Sequence, residues 1–303
     1  DYFGEGGQEL NDGKIDRRWN SNGGRLDGEE FSMRRNFYNK PLATFNWDWS
    51  ITENLTLNTS LYGSAGRGGG TGPRGRNYDV LPYQQDLYSF MVEDSTTQFR
   101  TDDGRVDYDA IIADNQAGAT PHDGSVNDSY EGALIGSHQW GIDADTAGTI
   151  YTGGGMIRRA SMNSHDWIGA ISNLEYNSGN LRASVGVDLR RYKGYHYRAL
   201  NHLMGFDAYY SGGNRNNNGQ VIETTIEASP FNNTGLNGPK IDYYNVGNVN
   251  WTGLNGLVEY KADDFTAVVQ AGLSAQTYQR EDYFDQPGNA ISEIATRNGG
   301  YVK

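Results

Sequence analysis

Cysteine is missing from this chain altogether, which excludes a disulfide frame, thiolate metal sites and a cysteine nucleophile. Long apolar runs are missing too: no stretch approaches the roughly 18 residues that a membrane-spanning helix needs. At 36% hydrophobic residues and a mean hydropathy of -0.73, the chain is too polar for a helical membrane protein. Strands that cross a membrane stay open, because each takes about ten residues with only every second one apolar. Basic residues are also scarce. The 25 Lys and Arg against 38 Asp and Glu give a net charge of -13 and a pI near 4.8, which argues against nucleic acid, whose phosphates demand a basic surface. The opening DYFGEGGQEL has no charged start, apolar core or cleavage site, so no secretory leader is expected there. The chain reads as mature or as a piece of a longer one.

What the 303 residues do contain is 41 Gly, 21 Tyr and three regions of period-two patterning. In SNLEYNSGNLRASVGVDLRRY, Leu181, Ala183, Val185, Val187 and Leu189 alternate with Arg182, Ser184, Gly186, Asp188 and Arg190. Upstream of the turn Asn177-Ser178-Gly179-Asn180, the residues Ile168, Ala170, Ser172, Leu174 and Tyr176 alternate with Trp167, Gly169, Asn173 and Glu175. A second region sets Ala43, Phe45, Trp47, Trp49 and Ile51 against Leu42, Thr44, Asn46, Asp48 and Ser50. Past Glu53-Asn54 it sets Leu55, Leu57, Thr59, Leu61 and Gly63 against Thr56, Asn58, Ser60 and Tyr62. In the third, Leu254, Val258 and Tyr260 share a face. Beyond Asp263-Asp264, Phe265, Ala267, Val269, Ala271 and Leu273 face away from Thr266, Gln270, Gly272 and Ser274. Each region is a hairpin with one apolar and one polar face.

The hairpins, at about 37–65, 165–191 and 250–276, are separated by connections at 66–160 and 193–247 that are rich in Gly, Asn, Asp and Tyr. Loops of that length are rarely structureless inside a compact domain unless they have a function. Short helices are expected within them, at 107–117 and 197–204. Short turns at one end and long loops at the other are the asymmetry of bacterial outer-membrane barrels. Aromatics on the apolar face beside the short turns, Trp49, Tyr176, Tyr260 and Phe265, suit an interfacial girdle; strand propensity for aromatics gives the same pattern. The polar set, among it Asn46, Asp48, Asn58, Arg182, Asp188 and Gln270, suits a wet, lumen-facing interior. The expected fold is therefore all-β: an antiparallel transmembrane β-barrel section of about six strands in three hairpins, with long extracellular loops.

The segments YNKPLATFNWDWSITENLTLNTSLYGSAGRGGGTGPRG and SHDWIGAISNLEYNSGNLRASVGVDLRRYKGYHYRALNHLMG resemble the barrel of TonB-dependent outer-membrane receptors of the SusC-type, Bacteroidetes-like group. The resemblance implies a 22-stranded barrel closed by an N-terminal plug. It also implies active uptake of a siderophore, cobalamin, glycan or peptide, energised through a TonB box. Neither plug nor TonB box is seen in these residues, and about six strands fall short of the eight or more that closure takes. The chain thus looks like a middle section, residues 1–303 forming a partial barrel domain. Implied partners are the TonB complex, the plug of the same full-length chain, outer-membrane lipid and a surface lipoprotein lid, in a Gram-negative outer membrane.

Other motifs read as ordinary loops. GRGGGTGPRG holds a G-x-G-x-x-G at Gly70, Gly72 and Gly75, but Pro73 and no helical stripe follow, so a flexible external loop is expected in place of a dinucleotide site. NRNNNGQVIE places Asn214, Asn216, Asn218 and Gly219 at calcium-loop spacing; the ligands are neutral amides and Thr225 stands where such loops carry Glu, so a polar turn cluster is favoured. The five histidines form no zinc set. The acidic residues between 94 and 131 read as solvation, and no catalytic arrangement, metal or cofactor is expected. RRYKGYHYRALNHLMG brings Arg190, Tyr192, Tyr195, His196, Tyr197 and Arg198 to the base of an external loop. Aromatics with cations make a ligand-binding surface for sugars or anions; an interfacial belt touching lipopolysaccharide fits the same residues. Two alternatives to the receptor stay open. One is a secreted all-β binding or structural module, such as a carbohydrate-binding sandwich or a surface or filament subunit, and the other a glycosidase-like enzyme.

Overall fold

Alternating side chains become strands only where a neighbour completes the backbone ladder. The computed structural model describes residues 23–76, 99, 101, 105–117, 133–135, 155–206, 208–211, 213–217, 220–231 and 236–303. In chain order its elements are β1 (Gly23–Leu26), β2 (Glu29–Ser32), β3 (Asn36–Asn39), β4 (Leu42–Thr52), β5 (Leu55–Arg76), β6 (Val106–Asp107), helix α1 (Tyr108–Ala117) and β7 (Ala133–Ile135). They continue with β8 (Gly155–Ser178), β9 (Leu181–His202), β10 (Ala208–Ser211), β11 (Gln220–Ile222), β12 (Ile241–Lys261), β13 (Thr266–Asp282) and β14 (Ala295–Val302). The protein is all-β, with antiparallel pairing throughout its main sheet and a single parallel contact, β1 with β6, among the described pairs.

The main sheet runs β14-β13-β12-β9-β8-β5-β3, and β4 also pairs with β5. Among the described residues it does not close on itself. Its hairpins carry the register that the patterning demands. Leu254 opposes Leu273, Val258 opposes Val269 and Tyr260 opposes Ala267, while Phe45 opposes Leu61, Asn46 opposes Ser60 and Asp48 opposes Asn58. In these pairs apolar meets apolar and polar meets polar, while Leu257 opposite Gln270 and Val268 opposite Glu259 depart from the rule. At the β8–β9 turn Gly179 takes a φ of 55°, the left-handed region that a side chain disfavours.

The strands run further than the sequence patterning suggests. β5 continues to Arg76, β8 starts at Gly155, β9 reaches His202 and β12 starts at Ile241, all inside spans expected to be loops. The glycine tract is strand as well. A Cβ on Gly70 would sit 2.6 Å from Asn36 Oδ1 and one on Gly72 3.0 Å from the Arg159 guanidinium carbon, so these glycines let neighbouring side chains lie against the β5 backbone. The helix expected at 107–117 is α1, capped by Asp107, whose Oδ1 accepts the amide of Ala110 at 2.9 Å. Of the helix expected at 197–204, residues 197–202 are instead the end of β9, and Leu203 and Met204 lie beyond it. There strand formation overrides the helix propensity of Ala199 and Leu200. Most of the acidic span from 94 to 131 lies outside the described residues, as do Asn218 and Gly219; the Oδ1 of Asn214 accepts the amides of Asn216 and Asn217, a polar turn.

Two compact units divide the chain. The first comprises Asp1–Phe37, Gly69–Met162 and Tyr197–Tyr243, and the second Tyr38–Gly68, Asn163–His196 and Tyr244–Lys303. The first unit holds two buried clusters. One gathers Met33, Val106, Tyr108, Ile111, Met156 and Met204 around α1; the other gathers Ile157, Leu200, Phe206, Tyr209, Ile222 and Ile241. Each fully buried side chain of this size stabilises by about 1.5–3 kcal/mol.

The second unit inverts this pattern. Along β9 the apolar residues Val185, Val187 and Leu189 are exposed, whereas Gly186 between them is buried and Asp188 is half-buried. Leu254, Val258, Val269 and Leu273 on β12 and β13 are likewise exposed, at 49, 49, 60 and 68%.

Candidate ligand pocket on the polar sheet face

The polar face of the second unit carries a cavity of about 360 Å³ lined by Lys40, His165, Trp167, Arg190, Tyr192, Val249, Trp251 and Gln276. Strand periodicity puts them together. Trp167 alternates with Ile168 on β8, Arg190 with Leu189 on β9, and Trp251 opposes Gln276 across β12 and β13. A second hollow of about 360 Å³ is lined mainly by aliphatic side chains, including Leu174, Val185, Val258 and Val269. The first has the chemistry.

Aromatic rings build its walls. Tyr62 meets Trp167 edge-on, with centroids 5.4 Å apart, and lies over Gly169, where a Cβ would come within 2.2 Å of the tyrosine ring. His165 stacks on Tyr192 at 5.6 Å and exchanges a 3.3 Å hydrogen bond between Nδ1 and the Tyr38 hydroxyl. Lys40 Nζ stands 5.5 Å from the Trp167 ring and the Arg190 guanidinium 5.9 Å from the Trp251 ring. Arg190 is steered by Asp188, which accepts its Nε–H at 2.9 Å. His165 Nε2 and Trp251 Nε1 are both buried and have no hydrogen-bond partner among the described residues. An unmet polar group of this kind costs about 1–3 kcal/mol. Flat rings and two cations suit a ring-shaped polar solute, held by stacking and by charge-assisted hydrogen bonds.

The six residues expected to form a ligand surface are not brought together. Arg190 and Tyr192 line the pocket. Tyr195 belongs to the opposite alternate set and donates its hydroxyl to Asp166 Oδ2 at 3.2 Å, and His196 Nδ1 bonds Asn163 Oδ1 at 2.8 Å. Tyr197 and Arg198 fall in the first unit. Tyr197 is buried with Lys240 Nζ 4.9 Å from its ring, and Arg198 pairs with Asp242 at 2.7 Å. Of the polar-face set, Asn46 and Asp48 oppose Ser60 and Asn58, Arg182 lies 3.7 Å from Glu175, and Gln270 opposes Leu257. The sequence reading misses Lys40, His165, Trp167 and Trp251 as pocket residues. Their signal was parity, two tryptophans standing on the polar side of strands whose other side is aliphatic.

On the apolar side, a polar row follows the aliphatic one. Arg67 pairs with Asp166 at 2.8 Å, Tyr195 joins it, Tyr244 stacks on Tyr283 at 4.9 Å, and Tyr283 and Asn248 both donate to Glu281. The bond from Tyr283 holds the Glu281 carboxyl below the usual range, and the same bond pushes the phenol up to about 12. No protein-family model and no curated protein matches the chain.

Proposed function

We propose that this chain is the barrel portion of a TonB-dependent outer-membrane receptor that actively takes up a nutrient such as a siderophore, glycan or peptide. The membrane part of this reading is carried by one observation, the exposed aliphatic band of the second unit. Its rows run from Leu55 to Ala65, Ile168 to Tyr176, Leu181 to Leu189 and Phe265 to Ala275, close to the 9–11 residues with which a tilted strand crosses a bilayer. Trp49, Tyr176, Tyr260 and Phe265 stand at the turn end of the band, and Arg67, Asp166 and Arg191 follow it at the other. A contiguous apolar surface of this kind in water is the mark of a membrane or protein contact. Within the band the hydroxyls of Thr59 and Ser172 satisfy each other at 2.9 Å, as hydrocarbon requires of polar groups.

The receptor part rests on the resemblance. Loops outside the cell gather the solute, the pocket of Trp167, Trp251, Tyr192, Lys40 and Arg190 holds it on the polar face, and plug movement driven by TonB and the proton-motive force releases it. A second reading, a secreted all-β module, is favoured by the buried clusters of the first unit and by a main sheet that does not close among the described residues. Fractionation separates the two. Recovery from outer membranes only with detergent, together with heat-modifiable gel mobility, supports the receptor; a monodisperse protein without detergent supports the module. Solute uptake that stops when the proton-motive force is collapsed tests the transport step.

A further inference from the structure

In the first unit two guanidinium groups converge on one hydroxyl. Arg159 donates from Nη1 to Ser161 Oγ at 3.1 Å, and Arg198 donates from Nε to the same oxygen at 3.3 Å. Two cations that share a single neutral acceptor repel each other unless an anion stands between or beside them. The local carboxylate, Asp242, is already committed: it receives Arg198 at 2.7 Å and Arg74 at 3.1 Å, and its side chain is only 10% exposed.

Arg159 has no carboxylate partner among the described residues. Its Nη1 also donates to the Gly70 carbonyl at 3.4 Å, and its Nε is buried with no partner among the described residues. Burial first, and Arg198 second, depress its pKa, against an opposing pull from Tyr243 and Asp242. The site is nonetheless built to hold the group in place. Gly72 has no side chain where a Cβ would touch the Arg159 guanidinium at 3.0 Å, and the Tyr243 ring stands 5.2 Å from the Arg198 guanidinium. Both arginines stay partly exposed, so a solute reaches them. In a chain with a net charge of -13, a pair of converging cations with one acid already used is an exception that calls for a ligand.

We propose that Arg159 and Arg198, gathered around Ser161, form a binding site for an oxyanion: the carboxylate, sulfate or phosphate group of an acidic solute. The planar fork of the Arg159 guanidinium, which has no carboxylate partner among the described residues, matches two oxygens of such a group, and Ser161 lends a hydroxyl beside it. This site shares no residue with the aromatic pocket, and it stands whether the apolar face of the second unit meets lipid or protein.

The test is calorimetric titration of the whole protein with sodium sulfate, sodium phosphate and sodium acetate at low concentration and matched ionic strength, with chloride as control. The expected result is saturable binding of at least one oxyanion, weakened roughly tenfold or more by Arg159→Gln and less by Arg159→Lys, which keeps the charge. The order of the three salts tells carboxylate from tetrahedral oxyanion. Absence of saturable binding in the wild-type protein overturns the proposal without recourse to any variant. So does an Arg159→Gln protein that keeps the wild-type circular dichroism and binds with unchanged affinity.

Discussion

Val258 and Val269 stand directly opposite each other on neighbouring strands, and both are about half exposed, at 49 and 60%. A cross-strand valine pair of this sort normally marks the face of a sheet that packs inward. Here the same face carries Leu254 against Leu273 and remains open among the described residues, while the opposite face holds the charged and amide side chains.

If that face meets hydrocarbon, a charge placed at the middle of the band is costly. Val185→Arg is expected to destabilise the protein by about 2–4 kcal/mol in lipid vesicles, whereas the same change on a water-facing surface stays within about 0.5 kcal/mol. Denaturant unfolding of the vesicle-embedded protein measures it.

Thr59 and Ser172 give a second sign of the solvent. In lipid, Thr59→Val leaves the Ser172 hydroxyl alone and costs about 1–3 kcal/mol, and adding Ser172→Ala restores most of the loss. In water the single change is nearly silent, because water replaces the missing partner. A double-mutant cycle on unfolding free energy decides between the two.

The pocket depends on Gly169. Its Cβ position is filled by the Tyr62 ring, so Gly169→Ala displaces that ring from Trp167 and costs about 1–3 kcal/mol. Combining it with Tyr62→Leu, which vacates the space, is expected to cost less than the sum of the single changes. Tryptophan fluorescence during unfolding reports both stability and the altered surroundings of Trp167.

Lys240 predicts a pH dependence in the first unit. It is 8% exposed, its Nζ donates to the carbonyls of Leu236 and Gly238, and burial pushes its pKa from 10.5 down to about 8. Between about 8 and 10.5 the unfolded chain holds a proton that the folded chain has given up. Stability therefore rises with pH across that window, and below it this group's contribution is flat and at its lowest. Lys240→Met removes the rise. Unfolding midpoints of the two proteins that keep a constant difference from pH 7 to pH 10.5 contradict the assignment.

Much of the second unit was legible because its signals are local. Alternation from Leu181 to Leu189 and polar turns at Glu53-Asn54 and Asp263-Asp264 identify strands and their pairing without any knowledge of distant residues. The first unit was less legible because distant residues decide it. Gly70 and Gly72 read as loop until Asn36 and Arg159 are seen lying against them, and Ala199 and Leu200 read as helix until β9 is seen to run through them. One local signal went unused. Asp27-Gly28, with φ of 50° and 80°, joins β1 to β2 through the Asp-Gly turn that favours tight hairpins. The pocket was half legible: Arg190 and Tyr192 were found from their own strand, but Lys40, His165 and Trp251 join them only through the neighbouring strands.

Because the chain has no cysteine, single cysteines placed at Val185, Leu254 and Val269 and carrying a fluorescent label report the surroundings of the aliphatic face directly. The account predicts that nitroxides attached to lipid tails quench all three labels, that water-soluble quenchers leave them bright, and that labels at Asp188 and Gln270 behave in the opposite way. Labels at Val185, Leu254 and Val269 that are quenched from water, or shielded from both quenchers by packed polypeptide, would contradict it.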